Sequence, residues 1–126
     1  MTSEWQYQLL IESLRLVAAP ADVQLGVLPP FVVATDEIAS GFGDAFLLVP
    51  QLVRAGLISP DASNAIAALD SWFEGMPTDG SIAAPETLEH HDFWATGRRL
   101  ASDALLALGE VQQRPNLDQT TWVRGA

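Results

Sequence analysis

The chain contains no cysteine and no lysine, and its 126 residues include only two histidines and one tyrosine. Without cysteine, neither a disulfide nor a thiolate metal site can form. Thiol nucleophiles and Schiff-base lysines are excluded for the same reason. No serine stands in a Gly-x-Ser-x-Gly turn, and the two histidines are adjacent, not four apart as in zinc proteases. The sequence therefore predicts no cofactor, favours a non-enzymatic function, and leaves an enzyme as the alternative.

Positive charge is scarce as well. Six basic residues, all arginine, face sixteen acidic residues, for a formal net charge of -10. Phosphate binding requires clustered cations, and only Arg98 and Arg99 are adjacent. This balance disfavours nucleic acids and anionic membranes as partners. It would attract a basic protein instead.

Long apolar runs are also missing. The first six residues lack the basic start and unbroken apolar stretch of a signal peptide. The most apolar segment, residues 42–53, contains Asp44 and Pro50 and is too short to span a bilayer. We therefore expect a cytoplasmic protein without a membrane association.

Apolar residues make up 48% of the sequence and recur at helical spacing through most of it. Short connections between helices favour antiparallel packing of neighbours. The prediction is an all-α, compact antiparallel bundle of four to six helices, in one domain over residues 1–109. Residues 110–126 show no such pattern and are expected to be a mobile C-terminal tail. The predicted helix caps are Ser3, Thr35, Ser59 and Asp92.

The middle of the chain is harder to interpret. Residues 28–33 contain two prolines and are expected to be extended, with at most one short strand. Gly41 and Gly43 should weaken the second helix, so that it restarts near Asp44. The pair lacks the third glycine and the lysine of a phosphate-binding loop, and a hinge or turn is the preferred interpretation. Pro50 must either kink this helix or begin a new one. The core candidates here are Phe46, Leu47, Val49, Leu52 and Val53.

One cluster, Glu86 to Asp92, contains residues that bind metals or transfer protons. Glu86 and His90 are four residues apart, so one helical face can present both to a metal, with His91 beside them. A histidine can also act as a general base near neutral pH. The simpler interpretation is that Glu86 favours a helix N-terminus and that Asp92 caps the helix that follows. No third ligand is indicated, so this metal site is the second choice.

Acidic residues provide the preferred candidate site. Asp36 and Glu37 fall at a helix N-terminus, where the helix dipole already explains them. Asp44, Asp70 and Glu74 have no such explanation. If their helices lie side by side, the five carboxylates form a negative patch that binds a protein; the alternative is a solvated face that keeps the chain soluble.

The four tryptophans are candidate interface anchors, because tryptophan is enriched in binding hot spots. Trp72 lies on an apolar stripe and is expected in the core. Trp5 and Trp94 are near helix starts and are expected to be partly exposed. Trp122 lies in the predicted tail, where it either folds back onto the domain or meets a partner.

About half of the chain falls in four segments that form a recognisable pattern: Leu28–Val33, Asp36–Ala39, Ala45–Ser59 and Trp94–Gly109. In these segments the sequence resembles small bacterial proteins grouped with contact-dependent-inhibition immunity proteins. The resemblance implies a protein that binds and neutralises a cognate basic toxin domain through a charged face, and it transfers no individual site residue.

A structural or regulatory homodimer, formed through exposed apolar positions on the first or last helix, remains a further alternative.

Overall fold

The computed structural model describes residues 2–118, and that range is all-helical, without a strand, as predicted. It contains seven helices, one more than the predicted maximum, because the chain divides at Leu47 and Leu48 into a long helix and a short one. No helix among residues 2–118 is long and apolar enough to cross a membrane. The helices are α1 (Ser3–Ala18), α2 (Ala21–Val27), α3 (Ala34–Phe46), α4 (Val49–Arg54), α5 (Pro60–Glu74), α6 (Thr87–His90) and α7 (Asp92–Leu108).

The four long helices, α1, α3, α5 and α7, enclose one core. The closest packing is between α5 and α7, between α1 and α7, and between α1 and α3. Trp72 near the end of α5 stacks on Phe93 at the start of α7, with ring centroids 5.2 Å apart. These two helices therefore run antiparallel. Residues with no exposed surface include Leu10, Ile11, Leu14, Ile38, Leu52, Ile66, Leu69 and Leu88.

Of the four predicted capping residues, one caps its helix and three do not. Ser59 caps α5, its hydroxyl accepting a hydrogen bond from the Ala62 amide at 3.2 Å. At α1 the cap is Thr2 instead of Ser3, and at α7 it is His91 instead of Asp92. Each is shifted by one residue, because a polar side chain immediately before the expected cap accepts the amide hydrogen bond.

Thr35 does not cap α3, because α3 begins one residue earlier, at Ala34. The Thr35 side chain is buried, and its hydroxyl donates a hydrogen bond of 2.7 Å to the Ala83 carbonyl. This contact ties the start of α3 to the loop after α5. Threonine often caps helices, but here Thr35 connects two distant segments of the fold instead.

The middle of the chain is more regular than expected. The helix α3 passes through Gly41 and Gly43 without interruption, so neither a hinge nor a restart at Asp44 occurs. Pro50 lies in the first turn of α4 and begins a new helix, one of its two predicted roles. Residues 28–33 form a turn, in which the Val32 amide donates to the Pro29 carbonyl at 3.3 Å.

The buried end of α1 is closed by side chains from α2 and α7. Gln24 donates to the carbonyls of Leu16 and Val17 at 3.0 and 3.2 Å. Arg98 Nε donates to the Ala19 carbonyl at 3.1 Å. The last carbonyls of a helix have no partner within it, so these side chains permit the end to be buried.

Residues 110–118, which we call the C-terminal strap, lie across α1. Arg15 Nε donates to the Val111 carbonyl at 3.1 Å, and Gln112 donates to the Arg15 carbonyl at 3.2 Å. Leu117 packs against the core. The predicted boundary at residue 109 therefore lies between parts of the chain that are in contact. Mobility of the tail stays a prediction, and residues 119–126 are outside the described residues.

Beneath the strap lies a buried ion pair. Glu12 and Arg15, both on α1, are 8% and 5% exposed. Arg15 contacts Glu12 at 3.0 Å and Glu110 at 3.3 Å. The Arg15–Glu110 contact thus joins the first helix to the strap, and the Arg15–Glu12 contact lies within α1.

Candidate functional site

An open apolar groove lies between the end of α3, the short helix α4 and the first half of α5. Its volume is about 530 Å³. We call it the α4 groove. Most of its lining is aliphatic or aromatic, and the α5 side contributes two small side chains, Ser63 and Ala67. The lining residues are Phe46, Leu47, Val49, Pro50, Val53, Ser63 and Ala67.

Two of these residues were expected in the core and are on the surface instead. The exposed fraction is 75% for Leu47 and 36% for Val53. Leu47 lies in the break between α3 and α4, where the chain turns and only its neighbour Leu48 packs against the core. Exposed leucine and valine beside a groove form the kind of apolar surface that marks interaction sites.

The α5 wall of the groove continues into two of the predicted acidic residues. Ser63, Ala67, Asp70 and Glu74 follow one another at intervals of four, three and four residues, which places them on one face of the helix. Asp70 is half-buried and Glu74 is exposed. The apolar lining at one end of this face therefore gives way to carboxylates at the other.

The three acidic residues of α3 do not join that face. Phe42 and Phe46 mark the side of α3 that meets α5, through the Phe42–Phe73 ring contact at 5.7 Å and through the groove. Asp44 precedes Phe46 by two residues, which places it about 160° around the helix. Glu37 lies seven residues before Asp44, on the same flank.

Asp36, in the first turn of α3, is exposed. The five predicted carboxylates thus divide between α5, where Asp70 and Glu74 lie on the same face as Ser63 and Ala67, and α3. None of the five forms an ion pair with another residue among positions 2–118. Their charges are therefore not neutralised by contacts within the described chain.

The alternative metal site consists of Glu86, His90 and His91. These residues lie around the short helix α6 and are not grouped as ligands. His90 is exposed, with Nε2 at 3.8 Å from Glu89 Oε2. His91 Nδ1 accepts a hydrogen bond from the Phe93 amide at 3.0 Å, which commits that nitrogen to capping α7. Within residues 2–118, no three histidine or acidic side chains are grouped as metal ligands.

A second cavity, of about 550 Å³, lies where the end of α1 and α2 meet α6 and α7. Arg98 lines it, and burial lowers the pKa of its guanidinium below the ordinary value. The same side chain donates to the carbonyls of Ala19, immediately after α1, and of Leu88, on α6. These hydrogen bonds give Arg98 a structural role, because they connect α7 to the end of α1 and to α6. The other lining residues are Ala18, Pro20, Ala21, Asp22, Leu25 and Glu89.

The tryptophans contribute mainly to packing. Trp72 packs against the core, as predicted, and its indole N–H donates to the Phe93 carbonyl at 3.1 Å. Trp94 was expected to be partly exposed but is 1% exposed, because α7 directs it inward, where Nε1 donates to Thr87 Oγ1 at 3.1 Å. Trp5 is half-buried, as predicted, and Trp122 lies outside the described residues.

Comparison of the chain with models of known protein families, with curated proteins and with solved structures finds no match. The distinguishing feature of the candidate site is an exposed apolar groove whose α5 wall continues along one helical face to Asp70 and Glu74.

Proposed function

We propose that this chain is a non-enzymatic protein-binding module that binds a basic protein in the cytoplasm. Its partner is a toxin domain, which it neutralises in the manner of bacterial immunity proteins. The observation that carries the proposal is the α4 groove, an exposed apolar surface whose α5 wall continues along the same helical face to Asp70 and Glu74. An apolar centre with a charged rim is the usual composition of a protein interface.

The overall charge supports a basic partner. With a net charge of -10, the chain repels anionic surfaces and draws cationic proteins toward it from solution. Electrostatic attraction of this kind acts mainly on the association rate and weakens as salt screens the charges. We therefore expect association to slow at high ionic strength, while the dissociation rate reports the apolar contacts.

The same charge disfavours the homodimer. Two copies would bring two net charges of -10 together, with no lysine and six arginines in each chain to offset them. The metal-binding alternative has less support than the protein-binding module or the homodimer, because capping of α7 already engages one nitrogen of His91. Neither alternative uses the exposed groove.

The experiment is affinity capture from the native host with the intact chain as bait, followed by co-expression of the captured protein. We expect a basic protein whose toxicity the chain relieves, and whose association rate falls at least tenfold between 50 and 500 mM salt. Capture of only neutral or acidic proteins, or a basic protein whose toxicity co-expression does not relieve, would contradict the proposal.

A charge-matched pair of variants separates local from overall electrostatics. Asp70→Asn with Glu74→Gln removes two negative charges beside the groove. Glu89→Gln with Asp103→Asn removes two exposed charges on α6 and α7, where each contacts a histidine or arginine on its own segment. We expect the first pair to weaken binding clearly more than the second. Equal effects would mean that net charge alone matters and that Asp70 and Glu74 have no local role.

A further inference from the structure

We propose that the α4 groove binds an amphipathic helix of the partner, with its apolar face in the groove and its arginines or lysines against Asp70 and Glu74. This inference rests on the proposed function, because it names the part of a basic partner that the groove accepts. Helices that lay an apolar face into a groove are a recurrent mode of recognition.

The dimensions of the α5 wall suit a helix. From Ser63 to Glu74 the wall advances by eleven helical steps, which corresponds to about 16 Å, or three turns. Ser63 and Ala67 have small side chains, which permit the backbone of a second helix to approach closely. Across the groove, Leu47 and Val53 present exposed aliphatic side chains that a partner's leucines can contact.

The change from small to acidic residues along the α5 wall determines the order of apolar and basic residues that the partner helix needs. Apolar residues at positions i, i+4 and i+7 of the partner helix follow the groove. Basic residues one or two turns further along meet Asp70 and Glu74, which make no ion pair within residues 2–118. An acidic helix of the same apolar pattern would be repelled by these carboxylates. A second copy of this chain is disfavoured because each copy carries a net charge of -10.

Three synthetic peptides of about 16 residues test the proposal with the intact, isotope-labelled chain. The first is an amphipathic helix of leucine, alanine and lysine. The second has the same composition in an order that destroys helical periodicity, and the third replaces every lysine by glutamate. We expect only the first to bind, with the largest amide chemical-shift changes at Leu47, Val53, Ala67 and Asp70.

Two exposed leucines provide matched variants. Leu47, in the groove, is 75% exposed, and Leu106, on α7, is 79% exposed. Leu47→Asp should weaken binding of the first peptide at least tenfold, whereas Leu106→Asp should leave it within twofold. Because both side chains are largely solvated, neither substitution is expected to prevent folding.

Several results would overturn the inference. Equal binding of the first two peptides would show that charge alone drives association, and shifts centred away from the groove would place the site elsewhere. A photo-crosslinker at Val53 that joins the chain to its own residues 119–126, or to a second copy, would identify a different occupant. Binding of a captured basic toxin that survives Leu47→Asp would leave the proposed function intact and reject this site. Groove binding of the first peptide, with no basic protein captured, would reject the function and retain the site.

Discussion

Glu12 accepts a hydrogen bond at 2.9 Å from the amide of Asn116, a residue 104 positions later in the chain. Its other carboxylate oxygen contacts Arg15 at 3.0 Å and Gln8 at 2.6 Å. One buried side chain therefore fixes both an arginine on its own helix and the C-terminal strap. Because a buried carboxylate must be paired to be tolerated, the strap and the ion pair depend on each other.

Arg15→Ala should destabilise the fold strongly. It leaves Glu12 buried without its cation and removes the contacts from Arg15 to Glu110 and Val111. Removing one partner of a buried pair costs roughly 3–5 kcal/mol. Urea unfolding followed by circular dichroism measures the loss. Arg99→Ala is the control, because its pair with Asp103 is 65% and 60% exposed and is worth at most about 1 kcal/mol. Equal losses for the two variants would show that the buried network contributes no more than a surface pair.

Tyr7 should ionise at unusually high pH. Burial raises its pKa from the ordinary value of 10.0 to about 12, helped by its 2.9 Å hydrogen bond to Glu110 and by the negative charge there. A raised pKa in the folded state stabilises the fold below pH 10.0, and this contribution disappears as the pH rises through about 12. The chain has one tyrosine and no lysine or cysteine, so phenolate absorbance follows this group alone.

Glu110→Gln tests the cause of that shift. It removes the negative charge while retaining an amide oxygen that can accept the tyrosine hydrogen bond. The pKa of Tyr7 should fall but stay above 10.0, because burial, the largest cause, remains. A wild-type midpoint near 10 would contradict the partly buried arrangement of Tyr7 against Glu110.

Gly41→Ala should stabilise the protein. Gly41 lies within α3, and a methyl group there would meet no atom within 4 Å. Alanine is favoured over glycine in a helix interior by roughly 0.5–1 kcal/mol. Gly56→Ala is the matched contrast, since that position is equally open but has φ +79°, a conformation that alanine rarely adopts. Thermal unfolding should show opposite shifts in Tm for the two variants. A loss of stability for Gly41→Ala would indicate that the glycine has a function in α3.

The sequence allowed prediction of those elements whose signals are local. Ser59, Pro60 and the apolar spacing after them are sufficient to define α5, because capping and periodicity act within a few residues. The spacing of Ser63, Ala67, Asp70 and Glu74 also places them on one face of that helix. That its first half borders an apolar groove depends on where α4 lies, which no local pattern determines.

Long-range contacts account for what the sequence did not reveal. The strap has no helical periodicity, and its partners on α1 are 95 or more residues away, so nothing nearby in the sequence indicated that Glu12 and Arg15 are buried. Leu47 and Val53 matched a core pattern, but the turn between α3 and α4 rotates them to the surface. Two adjacent leucines at a helix break, only one of which can face inward, were the available signal.

The most direct measurement compares Leu47→Asp with Leu106→Asp in titration calorimetry against the captured basic partner. The two leucines are almost equally exposed, and the substitutions make the same change in charge and size. Leu47 lies in the break between α3 and α4, whereas Leu106 lies on α7. If the α4 groove is the docking site, Leu47→Asp raises Kd at least tenfold and Leu106→Asp changes it by less than twofold. Equal affinities for both variants and the wild type would contradict the groove as the place where this chain meets its partner.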